Sequence, residues 1–210
     1  MSGLKNEPYE GSNFVNFKDG RLVSNKETYT SLTGLITELD LTDEEYKGKE
    51  YRKITLFIKD DEDNILKLGF PLESGYGNSF CSLAPNIDFA KPVQISGGTK
   101  ELENGNSYGS VFIRQGFDEN GKGGKSVKWY FKKDGAQLPA GAPIINKAGK
   151  TTGMDFSERN DFFHHLLLEQ IRPRILEGAK RSGNLSATQS SADKALQDLG
   201  FKKTSTVKKK

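Results

Sequence analysis

The sequence predicts a mainly β fold: a five-stranded barrel with a short helix between strands three and four, then a C-terminal helix and a flexible basic tail. Three observations carry that expectation. Glycine is abundant, 23 of 210 residues, which favours turns over long helices. Alternation with a period of two recurs in short segments bounded by Gly, Pro, Asn or Asp. Those segments come in the order three strands, one helix, then two or more strands.

Residues 1–27 are polar and rich in Gly and Asn, broken by Phe14, Val15 and Phe17 before a turn at Asp19-Gly20. They read as an arm that adds one short strand. The barrel is expected over residues 28–134. Thr28 to Leu41, rich in β-branched and apolar residues, is strand one. In strand two, Tyr51 to Lys59, the residues Ile54, Leu56 and Ile58 share one face, and Tyr51, Lys53, Thr55, Phe57 and Lys59 share the other. The acidic run Asp60 to Asp63 supplies a turn, and Asn64 to Phe70 returns as strand three with Leu66, Leu68 and Phe70 inward.

Pro71 closes that strand, and Gly75 to Leu83 has helical spacing at Tyr76, Phe80 and Leu83. Val93 and Ile95 begin strand four, with turns expected at Gly97-Gly98 and Asn104-Gly105. Tyr108 to Gln115 and Ser126 to Lys132 then form a last hairpin around a glycine-lysine loop. Alternation within that hairpin puts Val127, Trp129 and Phe131 inward and Tyr130 outward. This succession of elements is that of an OB barrel, whose helix plugs one end.

Residues 135–154, rich in Pro, Gly, Ala and Lys, read as a linker. A helix is expected over 155–181, with Ser157 as its cap, Phe163, Leu167, Ile171 and Ile175 as its apolar stripe, and a kink or break at Pro173. Residues 182–210 carry too few apolar side chains for a core and end in Lys208, Lys209 and Lys210, the composition of a disordered basic tail.

Hydrophobic residues make up only 34% and charged residues 28%, so the core must be economical. A net charge of +3 does not by itself point to nucleic acid, but its distribution does. Acids cluster at Asp60 to Asp63, whereas Lys122, Lys125, Lys128, Lys132 and Lys133 fall in a stretch without one. A single cysteine, Cys81, excludes an internal disulfide and a thiolate zinc cluster. Neither an apolar leader nor about 18 consecutive apolar residues occurs, so a soluble intracellular protein is expected.

Binding a single strand without sequence preference needs aromatic faces for bases and cations for phosphates. Strand two offers Tyr51, Lys53, Phe57 and Lys59. The last hairpin offers Tyr108, Phe112, Arg114, Lys122, Lys125, Lys128, Tyr130 and Lys132. Against this stands the plainer reading, in which the rings pack under the arm or the terminal helix and the lysines are solvated edge residues. Gly116 to Ser126 is not a phosphate-binding P-loop, because Glu119 stands where the first glycine belongs. His164 and His165 diverge by about 100° on a helix and cannot share a metal. No catalytic residues, metal or cofactor are expected, and the chain is read as a binding protein.

Four stretches, Tyr29 to Leu39, Gly48 to Asp60, Ser79 to Ile95 and Val127 to Lys133, resemble the OB-fold single-stranded DNA-binding proteins of tailed bacteriophages. The four stretches fall within residues 29–133, about half the chain. It implies a protein that coats and protects single strands during phage replication, recombination or repair in the cytoplasm of the infected host. Its partners would be single-stranded DNA and the proteins of replication or recombination. Many members of that class end in an acidic tail that recruits partners; this chain ends in lysines. Two other readings compete: an interaction or virion-associated protein built on the same barrel, and an RNA-binding module.

Overall fold

The computed structural model describes residues 14–24, 27–101, 107–118, 121–131 and 137–183. Expectations for the lysine-rich tail from residue 184 onward, for the Asn104-Gly105 turn, and for Lys132 and Lys133 lie outside them. Among the described residues, nine strands form one mixed sheet in the order β3-β2-β1-β6-β5-β4-β7-β8-β9. The closed five-stranded barrel expected from the sequence is therefore corrected to an open, larger sheet.

The correction begins at the N-terminus. β1 (Phe14–Lys18) and β2 (Arg21–Ser24) are a hairpin joined at Asp19-Gly20, both with positive φ, the backbone that an Asp-Gly turn supplies. β3 (Glu27–Tyr29) extends it. β1 lies parallel to β6 (Ile65–Pro71), Val15 opposite Leu68, and so occupies that strand's outer edge. Val15 and Leu22, buried on this hairpin, anchor it to the core.

β4 (Leu32–Tyr46) and β5 (Lys49–Lys59) form the longest hairpin, with a bulge between Ile36 and Glu38. On β5 the inward residues Ile54, Leu56 and Ile58 are fully buried. β4 also pairs with β7 (Val93–Glu101), but only through Leu32 to Gly34, and β7 pairs along its length with β8 (Ser107–Gln115). Gly97-Gly98, expected as a turn, lies inside β7. A methyl group on Gly97 would come within 2.8 Å of the Gly20 carbonyl oxygen, and one on Gly98 within 2.7 Å of the Phe112 ring. The glycines admit the β1–β2 turn and the ring, and the sheet curls until that turn meets β7.

α1 (Gly75–Leu83) fills the gap between β6 and β8. Ser74 caps it by accepting the Gly77 N–H at 3.1 Å. Inside, the buried Ser79 hydroxyl donates to the Val111 carbonyl at 3.0 Å and accepts the Val111 N–H at 3.1 Å, so the helix satisfies a strand edge that would otherwise be buried unpaired.

The last hairpin is shorter than expected. β9 is only Lys125–Ser126, after which the chain leaves the sheet and crosses to the end of α1, where the Tyr130 N–H bonds to the Ser82 carbonyl at 2.8 Å. The stretch read as a linker contains a second, separate sheet, β10 (Ala142–Ile145) with β11 (Thr151–Asp155).

The C-terminal helix runs without a break as α2 (Ser157–His165), a π-helical turn (Leu166–Ile171) and α3 (Arg172–Arg181). Asp155, not Ser157, organises its start: its carboxylate accepts the Ser157 N–H at 2.9 Å. Pro173 does not end the helix. The widened turn precedes it, and at the second position of α3 a missing N–H is tolerated. Phe163, Leu167, Ile171 and Ile175 are all fully buried, and α3 packs against β4.

Candidate nucleic-acid interface

Tyr51, Lys53, Phe57 and Lys59 share the outer face of β5, as period-two alternation requires, but their polar groups are already engaged. The Tyr51 hydroxyl donates to Glu44 at 2.6 Å, and Lys53 pairs with the same carboxylate at 2.9 Å. The hydrogen bond to Tyr51, then that to Lys53, holds Glu44 below its ordinary pKa, and Tyr51 is raised in return. Lys59 pairs with Asp63 at 2.7 Å. Phe57, partly buried, lies in one row with Lys67 and Phe14, the Lys67 ammonium 5.3 Å from each ring centroid. This face is a self-satisfied network.

The outer face of β8 differs. Phe112 is 55% exposed and Tyr108 39%, and beyond β9 both Trp129 and Tyr130 are 46% exposed. Trp129 is thus corrected from inward to outward. The Val127 N–H still bonds to the Ile113 carbonyl at 2.8 Å and Val127 packs against the core, but the pairing ends there, so alternation no longer fixes the face of Trp129. Of Val127, Trp129 and Phe131, Phe131 alone is buried, its ring 5.5 Å from Phe162 and 6.1 Å from Phe163. Exposure of Trp129 was a signal the sequence held only in the change of composition after the glycine-rich loop.

Exposed cations lie on the same segments as these rings. Arg114 donates through Nε and Nη2 to the Gly124 carbonyl, at 3.2 and 2.7 Å, and lies 5.7 Å from the Phe117 ring centroid. It pins the glycine-lysine loop while keeping its charge. Asp118 closes the loop tip by accepting the Lys122 backbone N–H at 2.8 Å. Lys122, Lys125 and Lys128 are exposed and form no ion pair among the described residues. Lys100 on β7 stands opposite Tyr108.

In strand order the two groups of candidate residues are separated. β4 and β7 lie between β5 and β8, and α3 packs against β4. No group of three or more His, Cys, Asp or Glu able to hold a metal occurs among the described residues, and none of their helices is long and apolar enough to cross a membrane. Comparison with protein-family models, with curated proteins and with solved structures gave no match.

Proposed function

We propose that the chain binds single-stranded DNA without sequence preference on the outer face of β8 and the segment after β9. One observation carries this reading: Tyr108, Phe112, Trp129 and Tyr130 are exposed, and on the same segments Arg114, Lys122, Lys125 and Lys128 are exposed and in no ion pair among the described residues. Exposed rings stack on any base, and uncompensated cations meet phosphate. The face of β5, whose cations are paired with Glu44 and Asp63, is assigned a structural role.

The strand order β6-β5-β4-β7-β8, with α1 following β6, supports an OB plan held open, β1 taking the parallel place beside β6. The resemblance of four stretches to phage single-stranded DNA-binding proteins extends the proposal to a coat on single strands in phage replication, recombination or repair. A fluorescence-polarisation titration with poly-dT, poly-rU and a duplex tests it. Preference for poly-dT supports the reading. Equal binding of all three reduces it to attraction by a basic chain, and no binding removes it in favour of a protein-interaction role.

A further inference from the structure

A cleft of about 500 Å³ opens where β8, the start of α2 and the β10–β11 hairpin meet. We infer that it seats one nucleobase of a strand lying along β8; this rests on the function proposed above. Tyr108 belongs to both places. It lines the cleft, and it is the first of the outward residues that continue through Phe112 to Arg114. Tyr108 and Phe112 are four residues apart on β8, about 13 Å, so a DNA strand stacked on Phe112 reaches the cleft at Tyr108.

The lining selects the occupant. Its aromatic and apolar members are Tyr108, Phe156, Ile144 and Met154, all four exposed. A flat ring seated among them would take that apolar surface out of water. Charge argues against a phosphate. Arg52 and Arg159 are balanced by Glu73 and Asp155, and Arg52 is bound by Glu73 at 3.0 Å and by Asp161 at 2.7 Å. Arg159 donates to the Pro139 carbonyl at 3.0 Å and lies 4.8 Å from the Phe156 ring centroid, bracing it.

A neutral occupant with a hydrogen-bond donor is indicated by Asn160. Its Oδ1 is buried and accepts no hydrogen bond from the protein, a costly state for a polar atom unless water or a ligand supplies the donor. Each nucleobase carries an amino or ring N–H on its edge and apolar faces above and below. The cleft lies within the range of roughly 300–1,000 Å³ that small-molecule pockets occupy. One of its walls, the β10–β11 hairpin, is a two-stranded sheet, an element of marginal stability by itself. An inserted base would fix it against the body.

Photocrosslinking tests the inference on the full chain. A dT oligonucleotide of about a dozen nucleotides carries one 5-iodouracil, moved along its length, and adducts are mapped by mass spectrometry. An adduct on Phe156 or Met154 from one position of the label supports the cleft, and one on Tyr108 counts only together with it, because Tyr108 also belongs to the β8 face. Phe156→Leu should abolish that adduct and weaken binding about tenfold, as loss of one base–aromatic stack does. Adducts confined to Phe112, Trp129 and Tyr130 overturn the cleft and leave the proposed interface standing. Absence of both binding and adducts overturns the two together. Adducts in the cleft from free 5-iodo-2′-deoxyuridine but never from the oligonucleotide mean a nucleoside site and overturn the inference as stated.

Discussion

Alanine in place of Phe112 and, separately, of Phe57 distinguishes the open aromatic face from the self-satisfied one. A buried aromatic side chain removes roughly 150–250 Å² from water. Phe112 is 55% exposed, so about 90 Å² is at stake, or about 2 kcal/mol at ~25 cal/mol per Å². That is an upper figure, because the unfolded chain already hides part of this surface. The cost in binding is one base stack, about 1–3 kcal/mol, or about 5- to 150-fold in affinity. Phe57 is partly buried and flanks the Lys67 ammonium, so its loss should lower the melting temperature and leave binding unchanged. Thermal melts and poly-dT titrations on both variants are the assay. If Phe112→Ala binds like the parent, or Phe57→Ala binds weakly while still folded, the division of roles between the two faces is wrong.

Two further outcomes follow from charge. Burial, and secondarily the charge of Asp40, raises the Glu38 pKa against the pull of Arg172 and Lys67. A carboxylate whose folded pKa is raised costs stability when ionised, fully so at neutral pH and not at all below its unfolded value of about 4.3. Glu38→Gln should therefore melt at a higher temperature than the parent at pH 7, with the difference vanishing near pH 4; a difference constant across that range would contradict the assignment. For the interface, each phosphate contact contributes about −0.7 to the slope of log K against log salt. Reversing Lys125 and Lys128 to Glu should flatten the slope by at least about 1.4, and deleting residues 184–210 should flatten it further without lowering the melting temperature. An unchanged slope in the double variant would place the strand elsewhere.

Much of the architecture is written in local patterns. Ile54, Leu56 and Ile58 alternate because one face of β5 meets the core, and the stripe from Phe163 to Ile175 lies on one side of a helix for the same reason. Ser74 and the apolar spacing after it fix α1. What the sequence hid depends on distant partners. β1 and β2 bury only one residue each, Val15 and Leu22, too few for alternation to show, and the pairing of β1 with β6 links segments about fifty residues apart. Gly97 and Gly98 resemble a turn, yet they are glycines because another turn and a ring press on β7. Trp129 reads as inward only if the ladder, whose paired residues end at Ser126, is extended past it. The β10–β11 hairpin has no buried residue, so no pattern announces it. Of the candidate site, the rings and cations are legible by type; that Glu44 and Asp63 pair with Lys53 and Lys59 on β5, while Lys122, Lys125 and Lys128 form no ion pair among the described residues, only the fold reveals.

Trp129 supplies the most direct measurement. It is the chain's only tryptophan and is exposed beside Lys128 in the proposed interface. Intrinsic fluorescence of the full chain is titrated with poly-dT at low salt and then with added salt. A base stacked on the indole should quench its emission to a saturating value, and salt should restore it as phosphate contacts are lost. Emission that stays unchanged while polarisation reports a bound strand would put the DNA on another surface, and emission unchanged with no strand bound would end the single-strand-binding account altogether.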